Sequence, residues 1–507
     1  MPQTLTFPGV YIEEVPSAVR PITGVATSIT AFIGRALRGP VDQAVTITSY
    51  GDFERIFGGL WLDSNLGYAV QDFYRNGGST AVVVRVHKTK TNDSASMTLG
   101  SGTRAVGLAA ASPGAWGSKL TARIDNDVSN TADTSLFNLT VTDTATGKAE
   151  VFRNVSFGTA SARRVDLVLA AESSLVRFSG NLPTQPQSSF PVTATATNGN
   201  DGDAVDQSVI TTGTNFRADK RGLYALENTD LFNLVVIPPY TAAGDIEAQV
   251  LSDTVSYVEE KRALLIMDPP AGWTSIANAV AGAKAAAFTS SKNVAAYFPR
   301  INEPDALRDG QLTTRAPAGA IAGVIARTDA ERGIWKASAG LNAAISGVAS
   351  LSIPLSDPEI GQLNPLGVNC LRASPGAGHT VWGARTRAGS DRLASEWKYL
   401  PVRRTALFLE ESLFRGTQWV VFEPNDAPLW AQIRLNVGAF MNNLFRQGAF
   451  AGTTPREAFF VKCDAETTTQ DDVNLGIVNI VVGFAPLKPA EFVVIRLQQL
   501  AGQTGSA

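Results

Sequence analysis

Two histidines, His87 and His379, are the whole imidazole supply of 507 residues. That leaves almost no room for a metal-ligand cluster, a histidine-dependent triad or the zinc-protease signature, because each needs imidazoles at fixed spacing. His379 lies in the glycine-rich run Gly376-Ala377-Gly378-His379-Thr380. By composition this is a loop, the usual place for functional groups, so His379 is the better candidate of the two, weighed against a plain structural role. His87 falls at a strand end and reads as structural. Asp471-Asp472 and Glu410-Glu411 are adjacent carboxylates. Neighbouring strand positions face opposite sides and neighbouring helical positions diverge by about 100°, so these pairs read as solvated or salt-bridged faces. Gly100-Ser101-Gly102 and Gly376-Ala377-Gly378 lack the third glycine of a dinucleotide fingerprint, and Gly147-Lys148 is followed by Ala149, which has no hydroxyl for Mg²⁺. No GxSxG elbow occurs. Cys370 and Cys463 show no CxxC spacing and suit a reducing compartment, most simply as small buried hydrophobes.

The most unusual polar feature is the arginine run Arg385, Arg387, Arg392, Arg403 and Arg404, interleaved with Trp382, Trp397 and Tyr399. Phosphate binding is one reading. Asp391, Glu396, Glu410, Glu411 and Glu423 nearby favour ion-pair networks instead, for which the planar guanidinium fork is suited. At a subunit interface such pairs would set register and partner choice.

The elements that carry these residues follow from period and punctuation. Residues 1–20 read as an extended arm, with prolines at 2, 8, 16 and 21 forbidding a helix. Strands are expected at 28–34 and 80–86, with a helix from Asn65 toward Tyr74. Residues 91–215 are rich in Thr, Ser, Asn and Asp and read as an inserted, mainly β domain. From Phe216 the texture becomes strand, helix, strand, helix, strand (232–237, 245–261, 263–267, 274–289, 294–298), a βαβαβ pattern that builds parallel sheets. A helix over 425–447 starts at the Asn425/Asp426 cap with Pro428 in its first turn. Leu429, Ile433, Val437, Phe440 and Leu444 line one face of it. The expected class is mixed α/β (α+β), multidomain, with extended terminal arms. The expected divisions are 1–20; 21–90 with 216–348; 91–215; 349–488; and 489–507.

Composition narrows function further. With 43 Lys+Arg against 46 Asp+Glu, a net charge of −3 and no dense basic cluster, direct nucleic-acid binding is not expected. The amino terminus has neither a basic n-region nor an apolar h-region, and no run approaches a membrane span. Membrane insertion is not expected, and synthesis in the cytoplasm is.

Several of these segments resemble contractile tail sheath proteins. They are Phe7-Pro8-Gly9-Val10-Tyr11-Ile12-Glu13-Glu14, Thr27-Ser28-Ile29-Thr30-Ala31-Phe32-Ile33-Gly34, Ala322-Gly323-Val324-Ile325-Ala326-Arg327-Thr328-Asp329, Val381-Trp382-Gly383-Ala384-Arg385-Thr386, Tyr399-Leu400-Pro401-Val402-Arg403-Arg404, Phe422-Glu423-Pro424-Asn425 and Pro489-Ala490-Glu491-Phe492. The resemblance spans about residues 1–86 and 216–497 in the family's order; 91–215 is where the family varies.

The resemblance implies a structural subunit, not an enzyme, without cofactor, catalytic site or metal. Such subunits form hexameric rings stacked helically around a tail tube protein, together with baseplate and tail terminator proteins, in a virion tail or equivalent contractile particle. Contraction drives the tube through a target envelope. Terminal arms add strands to neighbouring subunits, which points here to Phe7, Val10, Tyr11, Ile12 and Val15 at one end and Phe492, Val493, Val494, Ile495 and Leu497 at the other. Arg385, Arg387, Arg403, Arg404, Glu410, Glu411 and Glu423 are then candidate interface ion pairs, and Arg434 and Arg446 candidate tube contacts. The rival readings are an α/β nucleotide- or phosphate-binding enzyme, and receptor binding through the insertion.

Overall fold

The computed structural model describes residues 20–91, 93–285, 288 and 290–496. These divide into two compact units, residues 26–404 with 489–496, and residues 20–25 with 405–488.

The larger unit is organised by short apolar runs that are buried on both faces. Thr30–Gly34, Ala81–Arg85, Leu234–Val236, Leu264–Met267 and Val294–Phe298 have every residue buried, as strands sandwiched between helices must be. They form an eight-stranded sheet. From one edge its order is Gly378–Trp382, Val368–Ser374, Val294–Phe298, Leu264–Met267, Leu234–Val236, Thr30–Gly34, Ala81–Arg85, Ala44–Ile47. The six inner strands are parallel. Chain order reverses beside Thr30–Gly34, the doubly wound arrangement expected of the βαβ pattern. The expected helices appear as Leu66–Arg75, Ala248–Glu260 and Ile276–Lys284.

The main sheet runs across the expected division at 348/349. Val368–Ser374 pairs in parallel with Val294–Phe298 and carries Gly378–Trp382 on its other side, so both belong to the main sheet. The break between units falls after Arg404 instead.

The helix Ala318–Arg332 buries every residue from Ala318 to Ala326. It lies so close to Leu66–Arg75 that a Cβ at Gly319 would collide with the Ala69 carbonyl oxygen, and one at Gly323 with the Phe73 carbonyl oxygen. Glycine is required there because backbone, not a movable side chain, fills the space.

The insertion leaves and re-enters at the Lys88–Asp203 bridge. It contains a four-stranded and a three-stranded antiparallel sheet around its own core, including Leu99, Leu108, Leu120, Ile124, Leu139 and Val141. Arg85, buried at the end of its strand, donates to the carbonyls of Ala36 (3.0 Å), Gly39 (2.7 Å) and Pro113 (2.7 Å), and so ties insertion to sheet.

In the smaller unit Asp426 caps the helix Ala427–Arg446 by accepting from the Leu429 N–H at 3.0 Å. The expected face (Leu429, Ile433, Val437, Phe440, Leu444) is buried, joined by Asn436 and Met441. Phe459–Lys462 and Val481–Phe484 form an antiparallel ribbon of two strands.

Gly323→Ala should lower stability by about 1–3 kcal/mol through overpacking. Gly438→Ala, in the open middle of Ala427–Arg446, should raise it by about 0.5–1 kcal/mol. Urea unfolding of both variants checks the pair.

Candidate functional site

Arg385 follows the edge strand, and its backbone is fixed by Asn369. The Asn369 Oδ1 accepts the Arg385 N–H at 2.7 Å and its Nδ2 donates to the Arg385 carbonyl at 2.8 Å. The guanidinium is fully buried. Its Nε and Nη2 donate in parallel to the two carboxylate oxygens of Glu491, each at 2.7 Å. Nη1 reaches Asp391 Oδ1 at 3.0 Å and the carbonyls of Asn364 (2.9 Å) and Gly389 (3.3 Å). Glu491 also accepts from Asn364 Nδ2 at 2.8 Å and Tyr399 Oη at 3.2 Å. Burial opposes ionisation of Glu491, but the bonds from Arg385 and Asn364 outweigh it and hold its carboxyl below the usual range.

The neighbouring arginines are also internal. Arg404 grips Asp329 with two bonds (2.8 and 2.6 Å) and donates to the Thr27 carbonyl at 2.9 Å. Arg403 donates to Asn293 Oδ1 at 2.8 Å and stacks on Trp397 at 5.0 Å. Arg387 donates to the carbonyls of Leu366 (2.6 Å) and Ala283 (3.3 Å), lies over Phe288, and is pushed down to about 10 by burial. Arg385, Arg387, Arg403 and Arg404, expected as interface ion pairs, are all buried in the single chain and bond to segments of it.

Among the acidic candidates, Glu411 is buried and accepts from Arg415 at 2.7 Å. Glu410 is exposed, and Glu423 stands 4.0 Å from Arg20. Arg20 lies over the Trp419 ring at 4.8 Å, and its N–H donates to Asn436 Oδ1 at 3.1 Å. The arm residues Phe7, Val10, Tyr11, Ile12, Val15 and Leu497 lie outside the described residues. Phe492, Val493, Val494 and Ile495 are 75–81% exposed and belong to no strand. Arg434 donates to the Cys463 carbonyl, whereas Arg446 is exposed at its helix end. Cys370 and Cys463 are free and buried.

His379 is on the edge strand, not in a loop. Gly376 and Gly378, at φ of 77° and 71°, make the turn that precedes it. His87 contacts Asp93 at 3.1 Å. Thr469 caps a short helix in a reciprocal box with Asp472: its hydroxyl accepts the Asp472 N–H, and the Asp472 carboxylate accepts the Thr469 N–H, so Asp472 is not paired with Asp471. Sequence reasoning missed Glu491, Asn364 and Asp329 as partners; the one signal for Glu491 is that it is the single acid in the apolar run 489–495.

Near the reversal of the sheet, where doubly wound folds bind ligands, Arg315 donates to Asp305 (2.6 Å) and Asn65 (3.0 Å), and Tyr68 Oη donates to Asp305 (2.8 Å), all buried. A cavity of about 270 Å³ beyond strands Leu234–Val236 and Leu264–Met267 is lined by Ile237, Pro239, Met267 and Trp273 with Asp245 and Asp268. Asp268 accepts the Ala318 N–H at 2.8 Å, and burial pushes its carboxyl up to about 7. Asp245 pairs with Arg300 at 2.9 Å. Among the described residues no group of side chains could hold a metal ion, and no helix is long and apolar enough to cross a membrane.

Residues 219–387 match the phage tail sheath protein central domain and 394–499 the phage tail sheath C-terminal domain, together more than half of the chain. The tail sheath protein of Burkholderia phage BcepMu is 25% identical over 478 residues, covering 88% of this chain and 87% of that protein. The fold matches the helical sheath of the anti-feeding prophage in its contracted state, with a TM-score of 0.60, 22% identity and coverage of 98% and 100%. It also matches a sheath tail protein from Listeria innocua, with a TM-score of 0.60, 15% identity and coverage of 92% and 96%. The chain belongs to the contractile tail sheath family. It is a structural sheath subunit of a phage tail or contractile injection system, and the family's members are structural proteins rather than enzymes.

Asp329→Asn leaves the buried Arg404 charge uncompensated and should cost about 3–5 kcal/mol, much of it recovered when Arg404→Met and Asp329→Leu are combined. Calorimetry of the three chains checks this. Because the folded-state pKa of Asp268 is raised, its contribution is fully present below the ordinary carboxylate range and is lost as pH rises through about 7. Asp268→Asn keeps the acceptor for Ala318 and should be the more stable chain by about 1–3 kcal/mol at alkaline pH, with no such gain in acid. Melting temperatures across pH decide it.

Proposed function

We propose that the chain polymerises by exchanging terminal strands with neighbouring copies, the ribbon Phe459–Lys462/Val481–Phe484 being the acceptor. The observation that carries this is a mismatch of supply. A two-stranded ribbon is marginal alone. Here each strand has one edge unpaired by any other strand among the described residues, and Phe460 and Val481 are half exposed. Phe492–Ile495 meanwhile offers exposed apolar chain that belongs to no strand. Added strands would satisfy backbone groups on both sides. An arm of about four or five bonds at ~0.5–1.5 kcal/mol each holds by a few kcal/mol, enough to tether subunits that rotate.

In this reading the copies build hexameric rings stacked helically around a tail tube protein, bounded by baseplate and tail terminator proteins and assembled in the cytoplasm. Collapse to a shorter state drives the tube through a target envelope. Burying a further few hundred Å² of apolar surface per subunit, at about 25 cal/mol/Å², supplies roughly 5–10 kcal/mol without nucleotide or other cofactor. Arg446 is the tube contact the reading favours, since Arg434 is engaged by the Cys463 carbonyl.

Removal of residues 1–19 should leave a chain with an unchanged melting temperature that forms no tubes in negative-stain microscopy. Tubes of normal length from that chain would refute strand exchange.

A further inference from the structure

We propose that Arg385, Asn364 and Tyr399 form a carboxylate socket whose ligand is the side chain of Glu491 from the same chain, and that it works as a releasable latch on the C-terminal segment. The socket is specific in shape as well as charge. Arg385 presents two parallel donors, Asn364 a third and Tyr399 a fourth, so both oxygens of one carboxylate are met by four hydrogen bonds from three side chains. A planar guanidinium with its Nε and Nη2 both engaged selects a carboxylate over any single-atom acceptor. Arg385 is held in place from behind by the carbonyls of Asn364 and Gly389 and by the two Asn369 bonds to its backbone, so the socket is built before its ligand arrives.

Release is possible because of Asp391. A buried guanidinium stripped of its only carboxylate is strongly disfavoured, but Asp391 remains 3.0 Å from Nη1 when Glu491 leaves. Asp391 is itself half exposed and steadied by Lys398 at 2.7 Å. The acid that leaves is the one next to the terminal segment: Glu491 is followed directly by four exposed apolar residues. The latch therefore sets where the segment Phe492–Ile495 departs from its own subunit, and holds it open to solvent while it waits for a strand partner. This rests on the strand-exchange reading above, and deepens it by naming the anchor.

The test uses the full-length chain with Arg392→Cys and Val493→Cys carrying nitroxides; Cys370 and Cys463 are buried and stay unlabelled. Pulsed electron resonance on unpolymerised protein should give a narrow distance distribution that at least doubles in width with Glu491→Gln. In sub-denaturing urea, which competes for the four hydrogen bonds, the parent distribution should broaden while that of Asp391→Asn, whose released guanidinium would face no carboxylate, stays narrow. An unchanged narrow distribution with Glu491→Gln overturns the latch, and Asp391→Asn opening as readily as the parent overturns the release step. In microscopy Glu491→Gln should reduce tube yield several-fold; full yield with an opened latch overturns its role in presenting the segment. Phe492→Asp with Ile495→Asp should abolish tubes while leaving the distance distribution narrow. Tubes from that double variant would instead sink strand exchange, with the latch itself still standing on the distance data.

Discussion

A guanidinium taken out of water has five donors to satisfy and a charge to neutralise, and this fold accepts that demand repeatedly. Arg85, Arg300, Arg315, Arg385, Arg387, Arg403 and Arg404 are all buried, and all seven are in the larger unit. Their acceptors are distant in sequence. Arg403 reaches Asn293 across 110 positions, Arg385 reaches Glu491 across 106, and Arg404 reaches Asp329 across 75. Each buried arginine therefore fixes two or three segments at once, and none can be displaced without stranding a charge. The larger unit is thereby tied together across segments far apart in sequence.

The sheet was legible in the sequence for a simple reason. Runs such as Thr80–Val86 and Val294–Phe298 are apolar on both faces, which only a strand covered on both sides can use. The helix Ala427–Arg446 was legible from its cap and stripe. The unit boundary was not, because Val368–Ser374 joins the sheet through pairing with a strand some seventy residues earlier, and pairing leaves no local trace. The arginines announced themselves by type but not by partner, for the same reason. Surface and interior ion pairs use identical residues, and only the fold decides which is which. His379 was misplaced because glycines that make a hairpin turn look, in one dimension, like a loop.

The smaller unit is built on the opposite principle. It has none of the buried arginines, and it displays Phe414, Val421, Phe422, Leu435, Phe460, Leu475 and Ile477 to solvent. Its sheet is the minimal ribbon, too small to be stable on pairing alone. A unit of this kind has apolar surface and strand edges to spare, which is what the strand-exchange proposal draws on.

Phe422 carries that argument furthest. Its backbone sits at φ 72°, a left-handed conformation that costs a residue with a Cβ on the order of 1 kcal/mol or more. Its side chain is fully exposed, so no burial within the chain offsets that cost. An isolated subunit gains nothing from either feature. Covering one phenylalanine is worth about 1.5–3 kcal/mol, comparable to the strain or larger. On the assembly proposal, a contact that covered this ring would therefore gain free energy without any chemical step.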